Sequence, residues 1–211
     1  MASATIPMIE TERLLLRGPA PGDVGAWGAC IADPEFNRFM PDWDLSPHAR
    51  AERKLTAFQR GWEQDPVSHI GWVITTKTDG GLVGLCDTDA VNGTSDGEVG
   101  YWMCRASWGQ GFTTEAARAA VRFAFEHTTW DRMTAAVIPE NMGSVRVLEH
   151  LGFVHEREMA SRDHMLLNGM PALELPSPTL AIYTLARDRF APGDALYRVH
   201  DASPLASRTA T

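Results

Sequence analysis

The residues with the clearest chemical potential lie in one stretch, Trp108–Thr128, which reads WGQGFTTEAARAAVRFAFEHT. Two glycines separated by one residue precede two threonines and a glutamate, and about four turns of helix-forming sequence follow. Glycine lets the backbone turn its N–H groups toward an anion, and the first turn of a helix adds unpaired N–H groups and the positive end of the helix dipole. The pattern predicts a phosphate-binding loop that opens a helix.

The helix after this loop is predicted to be amphipathic. Thr113 or Thr114 is expected to cap it, and Glu115 suits its first turn. Apolar side chains at helical spacing face one way and charged side chains the other. The apolar positions are Ala117, Ala120, Val121, Ala124 and Phe125, and the charged positions are Glu115, Arg118, Arg122 and Glu126. Glycine pairs also precede helices for purely geometric reasons, so the loop alone does not establish a ligand.

The elements around the loop predict an α/β fold that places it at a sheet edge. Strands are predicted at Glu12–Arg17, His69–Lys77, Leu82–Ala90, Glu98–Cys104, Arg132–Ile138, Phe153–Ala160 and Thr179–Arg187, and further helices at Asp23–Ala32, Ser46–Glu63 and Asn141–Leu151. The strand, helix, strand order around the loop calls for a right-handed crossover and a parallel strand pair. The loop then lies at the carboxyl end of a strand, where α/β sheets bind ligands.

Length and composition predict a single globular domain. The chain has 211 residues, of which 44% are hydrophobic and 22% charged, as in ordinary globular proteins. We expect one domain over residues 1–190 and a peripheral tail over 191–211, which carries no periodic pattern. Because the sequence shows neither a membrane-length apolar run nor a signal-peptide pattern, we expect a cytoplasmic location and no membrane partner.

Charge, cysteine and histidine usage exclude several kinds of site. The net charge of −8 disfavours a nucleic-acid surface and mildly favours a cationic substrate. Cys30, Cys86 and Cys104 are far apart and form no CxxC pair, so we expect reduced thiols rather than a disulfide framework or a zinc site. The seven histidines show no metal-ligand spacing, so no metal is predicted.

Two catalytic motifs are excluded by their context. Gly93–Gly97 reads GTSDG and matches the nucleophile pattern of hydrolases, but that motif requires a strand, a sharp turn and a helix. Here the residues are those of a hairpin turn with a strand after it. The glycine loop lacks the lysine of a triphosphate-binding loop, which excludes a nucleotide triphosphatase.

Five blocks resemble the GNAT superfamily of N-acetyltransferases, and within it the ribosomal-protein N-terminal (alanine/serine) acetyltransferases. The blocks are EVGYWM, WGQGFTTEA, FAFEH, VIPEN and NMGSVRVLEHLGF, and the resemblance covers Glu12 to Phe153. Trp108 stands where many GNAT proteins have Gln or Arg. A tryptophan at this position is usual in the ribosomal group. The resemblance implies a GNAT fold with a central mixed, splayed sheet of about seven strands flanked by about four helices. It also implies acetyl-CoA as co-substrate and an amine as acceptor.

The resemblance assigns the parts of acetyl-CoA to particular segments. Its pyrophosphate would lie on the backbone of Gly109–Thr114, and its pantetheine arm between the strands 98–104 and 132–138. Backbone groups near Trp102 and Met103 would pair with the pantetheine amides, and Asn141 would contact the arm. The implied cofactor-binding residues are Trp102, Met103, Trp108, Gly109, Gln110, Gly111, Phe112, Thr113, Thr114, Asn141 and Ser144.

Acetyl transfer to an amine requires a neutral nitrogen, a stabilised oxyanion and a proton for the leaving sulfur. Glu98, on the strand beside the thioester, is the predicted base, and the alternative is a structural hydrogen bond or ion pair. Ser144 is the predicted proton donor to sulfur, and the alternative is capping of its own helix. A backbone N–H near Met103 would hold the oxyanion.

The acceptor site is predicted to involve two further segments of the chain. Asp42, Trp43 and Asp44 lie in a proline-bounded loop and are predicted to bind a cationic acceptor; the alternative is a tryptophan folded onto the core. The insertion Met170–Pro178 falls where the last hairpin of the family helps to roof the acceptor site.

Three hypotheses follow. The first is an N-acetyltransferase acting on a primary amine, with a protein N-terminus favoured. The second is a small-molecule acetyltransferase for an aminoglycoside, a polyamine or an amino-acid-like metabolite. The third is a non-catalytic acyl-CoA-binding module. The chain is expected to be a monomer or homodimer.

Overall fold

A computed structural model describes residues 6–41, 44–63, 69–167 and 173–200 of the chain. These residues form a nine-stranded sheet in the order β7-β8-β6-β5-β4-β3-β2-β1-β9. The strands are β1 Met8–Glu10, β2 Leu14–Arg17, β3 His69–Thr76, β4 Leu82–Ala90, β5 Asp96–Met103, β6 Arg132–Val137, β7 Val154–Ala160, β8 Thr179–Ala186 and β9 Arg198–His200. The helices are α1 Asp23–Ile31, α2 Pro34–Asn37, α3 Pro47–Glu63, α4 Phe112–His127, α5 Met142–Leu151 and α6 Ser161–Leu167.

The predicted parallel pair is present and is very short. β5 and β6 are parallel and in register only from Asp96–Glu98 against Arg132–Thr134, whereas every other strand pair in the described sheet is antiparallel. β5 then continues to Met103 paired with β4 alone, and β6 continues paired with β8. The sheet therefore opens between β6 and β5, the third and fourth strands in its order, as the family resemblance implied.

The helix α4 covers one face of the sheet and forms the main core. Its apolar stripe is buried as predicted, and Phe123 packs edge-on against Trp72 of β3 with ring centroids 5.3 Å apart. The predicted threonine caps are wrong, because the helix begins at Phe112 with Gly111 as its N-cap in the left-handed region at φ 77°. Thr113 and Thr114 lie inside the first turn, where their backbone N–H groups point out of the helix end.

The opposite face of the sheet is covered by α1 and α3. A second apolar cluster there joins Trp27 of α1 and Leu55 and Phe58 of α3 to Val73 and Leu85 of the sheet. The two faces of β5 consequently meet different partners: Val99 and Met103 belong to the α4 core, whereas Trp102 packs against the α3 cluster. Strand alternation thus divides the side chains near the opening into two sets.

Two strands and two helices of the described fold were not predicted. β1, β9 and α2 have three or four residues each, which is too short for a periodic pattern. The seven-residue helix α6 directly follows β7, where the sequence shows no helix signal strong enough to separate the two. β9, within the stretch predicted as a tail, pairs antiparallel with β1 at the sheet edge. No helix in the described ranges combines the length and apolar character of a membrane span.

The expectation of three reduced thiols is wrong for two of them. Cys30 of α1 and Cys104, just after β5, form a disulfide, while Cys86 is a buried free thiol. The partners are 74 residues apart in sequence, but α1 packs over the end of β5, which brings their Cα atoms to 5.1 Å. Sequence spacing carries no signal of such a contact.

Reduction of the Cys30–Cys104 disulfide is expected to lower thermal stability. Closing a long loop in the unfolded chain contributes on the order of 2–4 kcal/mol, and each kcal/mol shifts the Tm of a chain this size by roughly 2–4 °C. Calorimetry with and without dithiothreitol measures the shift. The Cys30→Ser variant should melt at the reduced value in both conditions. Equal Tm values for the oxidised and reduced wild type would contradict the prediction.

Candidate active site

A cavity of about 1110 Å³ lies at the opening between β5 and β6 and runs along the start of α4 and α5. Nine of the predicted cofactor-binding residues line it: Trp102, Met103, Trp108, Gly109, Gly111, Thr113, Thr114, Asn141 and Ser144. Gln110, Phe112, Glu98 and Asp44 do not line it, and Asp44 is exposed. Asp42 and Trp43 lie outside the described residues. The cavity therefore brings together the residues assigned to the donor.

Every second residue of β5 points its backbone N–H and carbonyl groups toward this cavity. The N–H of Cys104 donates to the carbonyl of Val83 at 2.9 Å, and the register pairs Trp102 with Leu85. Since backbone groups alternate in direction along an antiparallel pair, the N–H groups of Tyr101 and Met103 point away from β4 and into the opening. The carbonyl of Met103 accepts from the indole N–H of Trp108 at 2.8 Å. Trp108 is thereby fixed to the strand at the edge of the cavity.

The glycine loop before α4 is held in shape by a distant arginine. Gly109 and Gly111 both have positive φ, 73° and 77°, which glycine adopts without strain. The guanidinium of Arg13 donates to the carbonyl of Gln110 at 2.9 Å and to the carboxylate of Glu115 at 2.7 Å. Glu115 also accepts from the backbone N–H of Arg13 at 2.8 Å. Arg13 could not be predicted from local sequence, because it lies 97 residues before the loop.

The cavity lining carries charges of both signs. Arg118 and Arg122 of α4 and Arg146 of α5 contribute to it, and so do four glutamates: Glu12, Glu35, Glu115 and Glu140. The first turn of α4 adds the positive end of the helix dipole. Backbone N–H groups at the start of α4, rather than the net charge of the lining, favour an anionic ligand at this end.

Tyr101 and Ser144 form a hydrogen-bonded pair inside the cavity. The phenolic oxygen of Tyr101 lies 2.9 Å from Oγ of Ser144 and also donates to the Ser144 carbonyl at 3.2 Å. Burial raises the pKa of Tyr101 far above its ordinary value, against the smaller opposing effect of Ser144. Asn141, rather than Ser144, caps α5 by accepting from the Ser144 N–H at 3.2 Å. Tyr101 was not among the predicted site residues, although it stands two residues before the predicted oxyanion donor Met103.

Glu98 lies where β5 and β6 separate, next to the cavity lining rather than in it. It is the last residue of β5 in register with β6, opposite Thr134. Its Oε2 is 2.8 Å from Nε2 of His164, and the two side chains are 23% and 10% exposed. By alternation Glu98 points to the face covered by α3, opposite to the face that carries Tyr101.

A cluster of charged side chains extends across the same face. Nζ of Lys54 is 2.6 Å from Asp87 and lies 4.0 Å from the Trp102 ring centroid, and His69 bonds to Asp89. Burial opposes the charged imidazole of His69, but the hydrogen bond to Asp89 and the nearby carboxylates outweigh it and raise the His69 pKa. Ligand atoms of His69, Asp87 and Asp89 lie within 4.8 Å of one another, as in a metal site, but they are engaged in these pairs.

A second, smaller cleft of about 380 Å³ adjoins the first. It lies between the segment after α2 and the described part of the predicted insertion, and Met40 lines both cavities. The other residues lining it are Asn37, Pro41, Arg50, Glu174, Leu175 and Pro176. The space at the strand opening therefore continues toward the surface on the face that carries Glu98.

Comparisons with known proteins agree with this geometry. A family model for the acetyltransferase (GNAT) domain matches residues 13–154. The Probable N-acetyltransferase YjcK of Bacillus subtilis is 33% identical over 120 residues, covering 56% of this chain and 64% of that protein. The uncharacterized N-acetyltransferase YoaA of the same organism is 27% identical over 166 residues, covering 78% and 92%.

A solved structure shares the fold. The ribosomal-protein-S5-alanine acetyltransferase from Vibrio fischeri superposes with a TM-score of 0.63 at 18% identity, over 88% of this chain and 99% of that one. A mixed α/β sheet that splays open beside a glycine loop and a helix N-terminus defines the class of fold. The chain belongs to the GNAT acetyltransferase family. It is an N-acetyltransferase of that family, whose members use acetyl-CoA.

Proposed function

We propose that this protein transfers the acetyl group of acetyl-CoA to a primary amine, with a protein N-terminus as the favoured acceptor. The observation that carries the proposal is the separation of β5 from β6 directly after Glu98, on the strand whose far end, Tyr101–Met103, lines the cavity beside the glycine loop. A glycine loop suited to phosphates and a carboxylate therefore lie toward opposite ends of the same strand. The cytoplasmic location stays a prediction.

The donor is held by backbone groups and by arginine side chains of the cavity lining. The N–H groups of the loop from Gly109 to Thr114 bind the pyrophosphate, aided by the helix dipole of α4. Tyr101 and Met103 offer backbone groups to the pantetheine amides, and Asn141 contacts the arm from the start of α5. Arg118 and Arg146, which line the mouth, suit the remaining phosphate. Acetyl-CoA supplies the thioester carbon that the amine attacks.

Proton transfers are divided between the two faces of β5. Glu98 accepts a proton from the amine as its nitrogen bonds to the carbonyl carbon. A backbone N–H of β5 that points into the opening closer to Glu98 than Met103 donates to the oxyanion that develops on the carbonyl oxygen. Ser144 donates a proton to the sulfur as the carbon–sulfur bond breaks, and solvent replaces that proton through Tyr101, which passes one proton on over the 2.9 Å contact and receives another. Because its pKa is raised, Tyr101 remains protonated well into the alkaline range.

An N-terminal acceptor suits this chemistry best. Deprotonating an α-amino group with a pKa near 8 costs about 1.4 kcal/mol at pH 7, against about 4.6 kcal/mol for a lysine near 10.4. The continuation of the cavity past Met40 into the second cleft supports an acceptor longer than one residue. The structural neighbour from Vibrio fischeri is named for acetylating an alanine of a ribosomal protein.

The activity is tested by thiol release from acetyl-CoA against a panel of amines. We expect release with peptides that carry a free N-terminal alanine or serine, and little with N-terminally blocked lysine peptides, polyamines or aminoglycosides. Release with small amines alone would favour the small-molecule enzyme. Tight CoA binding without release by any amine would favour the non-catalytic acyl-CoA module.

Replacing the proposed base should produce a pH-dependent defect. Glu98→Gln keeps the size of the side chain but cannot accept the amine proton, so turnover should fall on the order of 10²-fold below the pKa of the acceptor amine. The defect should shrink at high pH, where the amine is already neutral. The pH profile of kcat/KM measures it, with Glu35→Gln as a control on the acceptor side of the cavity. A parallel loss at all pH values would remove Glu98 as the base.

Removing the proton donors should affect turnover rather than donor binding. Ser144→Ala and Tyr101→Phe are each expected to lower kcat on the order of 10²-fold while the Kd of CoA stays nearly constant, because the lost hydroxyls act on the leaving sulfur. Tyr183→Phe, on β8 and outside the cavity lining, is the matched control. Calorimetric titration gives the Kd. Weakened CoA binding at unchanged kcat would make this pair a binding element instead.

A further inference from the structure

His164 of α6 is the hydrogen-bond partner that the fold gives to Glu98. Nε2 of His164 lies 2.8 Å from Oε2 of Glu98, and the two residues are 66 positions apart in sequence. The His164 side chain is 10% exposed. Other charged groups on this part of the sheet have their own partners: Lys54 bonds to Asp87, and Arg132 bonds to Asp96 and Glu156. The contact thus joins an otherwise separate helix to the proposed base.

The helix α6 is fixed at both ends, which determines where His164 stands. At its start, Ser161 donates its N–H to the carbonyl of Pro178 at 2.9 Å and its hydroxyl to the carbonyl of Ser177 at 2.7 Å. At its end, the carbonyl of Leu167 accepts from the side-chain amide of Asn92 at 3.1 Å. The helix is therefore tied both to the chain before β8 and to the turn between β4 and β5.

A glutamate at a strand opening needs such a partner to work as a base. The Glu side chain has three rotatable bonds, and holding it in one rotamer costs conformational entropy. This entropy cost is smaller during catalysis when a neighbouring donor already fixes one carboxylate oxygen. The rate of the reaction also depends on the position of the carboxylate, because a displacement of a catalytic group by about 1 Å can lower the rate on the order of 10²-fold.

We propose that His164 is a positioning residue for Glu98, an inference that rests on the proposed function. The imidazole carries a proton on Nε2 and donates it in a hydrogen bond to Oε2 of Glu98. Oε1 is then left to receive the proton of the acceptor amine. His164 keeps its own proton throughout, so a single proton moves, from nitrogen to the carboxylate.

Two substitutions separate the hydrogen bond from the bulk of the side chain. His164→Leu fills the space without a donor, whereas His164→Gln retains an N–H donor close to the position of Nε2. We expect His164→Leu to lower kcat roughly 10- to 100-fold at unchanged Kd for CoA, because Glu98 is misplaced. His164→Gln should recover most of that loss. Equal, near wild-type kcat for both variants would overturn the proposal, as would equal loss in both.

A double substitution tests whether His164 acts through Glu98. In the Glu98→Gln background, adding His164→Leu should lower kcat less than twofold further, whereas independent roles would multiply the two losses. His155→Leu is the matched control, since His155 on β7 pairs with Glu158 away from the cavity and should leave kcat unchanged. If His164→Leu does not fold, His164→Ala, which also removes the donor, gives the same comparison in the wild-type and Glu98→Gln backgrounds.

The wild-type assay keeps the two proposals distinguishable. Absence of amine-dependent thiol release in the wild type would contradict the proposed function and, with it, the role of His164. Normal release in the wild type combined with a multiplicative double-substitution loss would overturn the His164 proposal alone. Thermal unfolding of each variant accompanies the kinetics, and the expected loss of kcat occurs in protein that is folded at the assay temperature.

Discussion

The separation of β5 from β6 is the constraint on which the rest of the structure depends. Three paired residues end at Glu98 and Thr134, and beyond them each strand keeps a partner on its outer side only. Backbone groups left unpaired inside a protein cost free energy unless another partner takes them. The opening therefore has the properties of a binding site for an extended ligand with amide groups. The loop before α4 and the cap of α5 are placed at its two sides.

Alternation along β5 gives the opening two chemically different walls. Tyr101 reaches the α5 side and meets Ser144, whereas Glu98 and Trp102 face α3. A hydrogen-bonded hydroxyl pair and a carboxylate thus stand on opposite sides of one strand, beside the gap. A register slip of a single residue would exchange the two walls, which explains why the strand is held by a long antiparallel pairing with β4.

The sequence was informative where signals are local and repeated. The stripe of α4, the long strands and the glycine loop could be predicted because periodicity and backbone preference are written within a few residues. The threonine caps failed because Gly111 takes the left-handed conformation and starts the helix itself. Arg13, His164 and the Cys30–Cys104 disulfide depend on contacts between segments 97, 66 and 74 residues apart, for which the sequence contains no local pattern.

The bonds from Arg13 to the glycine loop also bear on how the protein matures. The loop is held by a residue near the start of the chain, and Glu115 is bonded to the same turn. Contacts of such long sequence separation form late, because the entropy of closing the intervening chain must be overcome first. During synthesis the hairpin of β1 and β2 has to wait for α4 to be made. Competence to bind the donor is consequently acquired only after more than half of the chain has been synthesised.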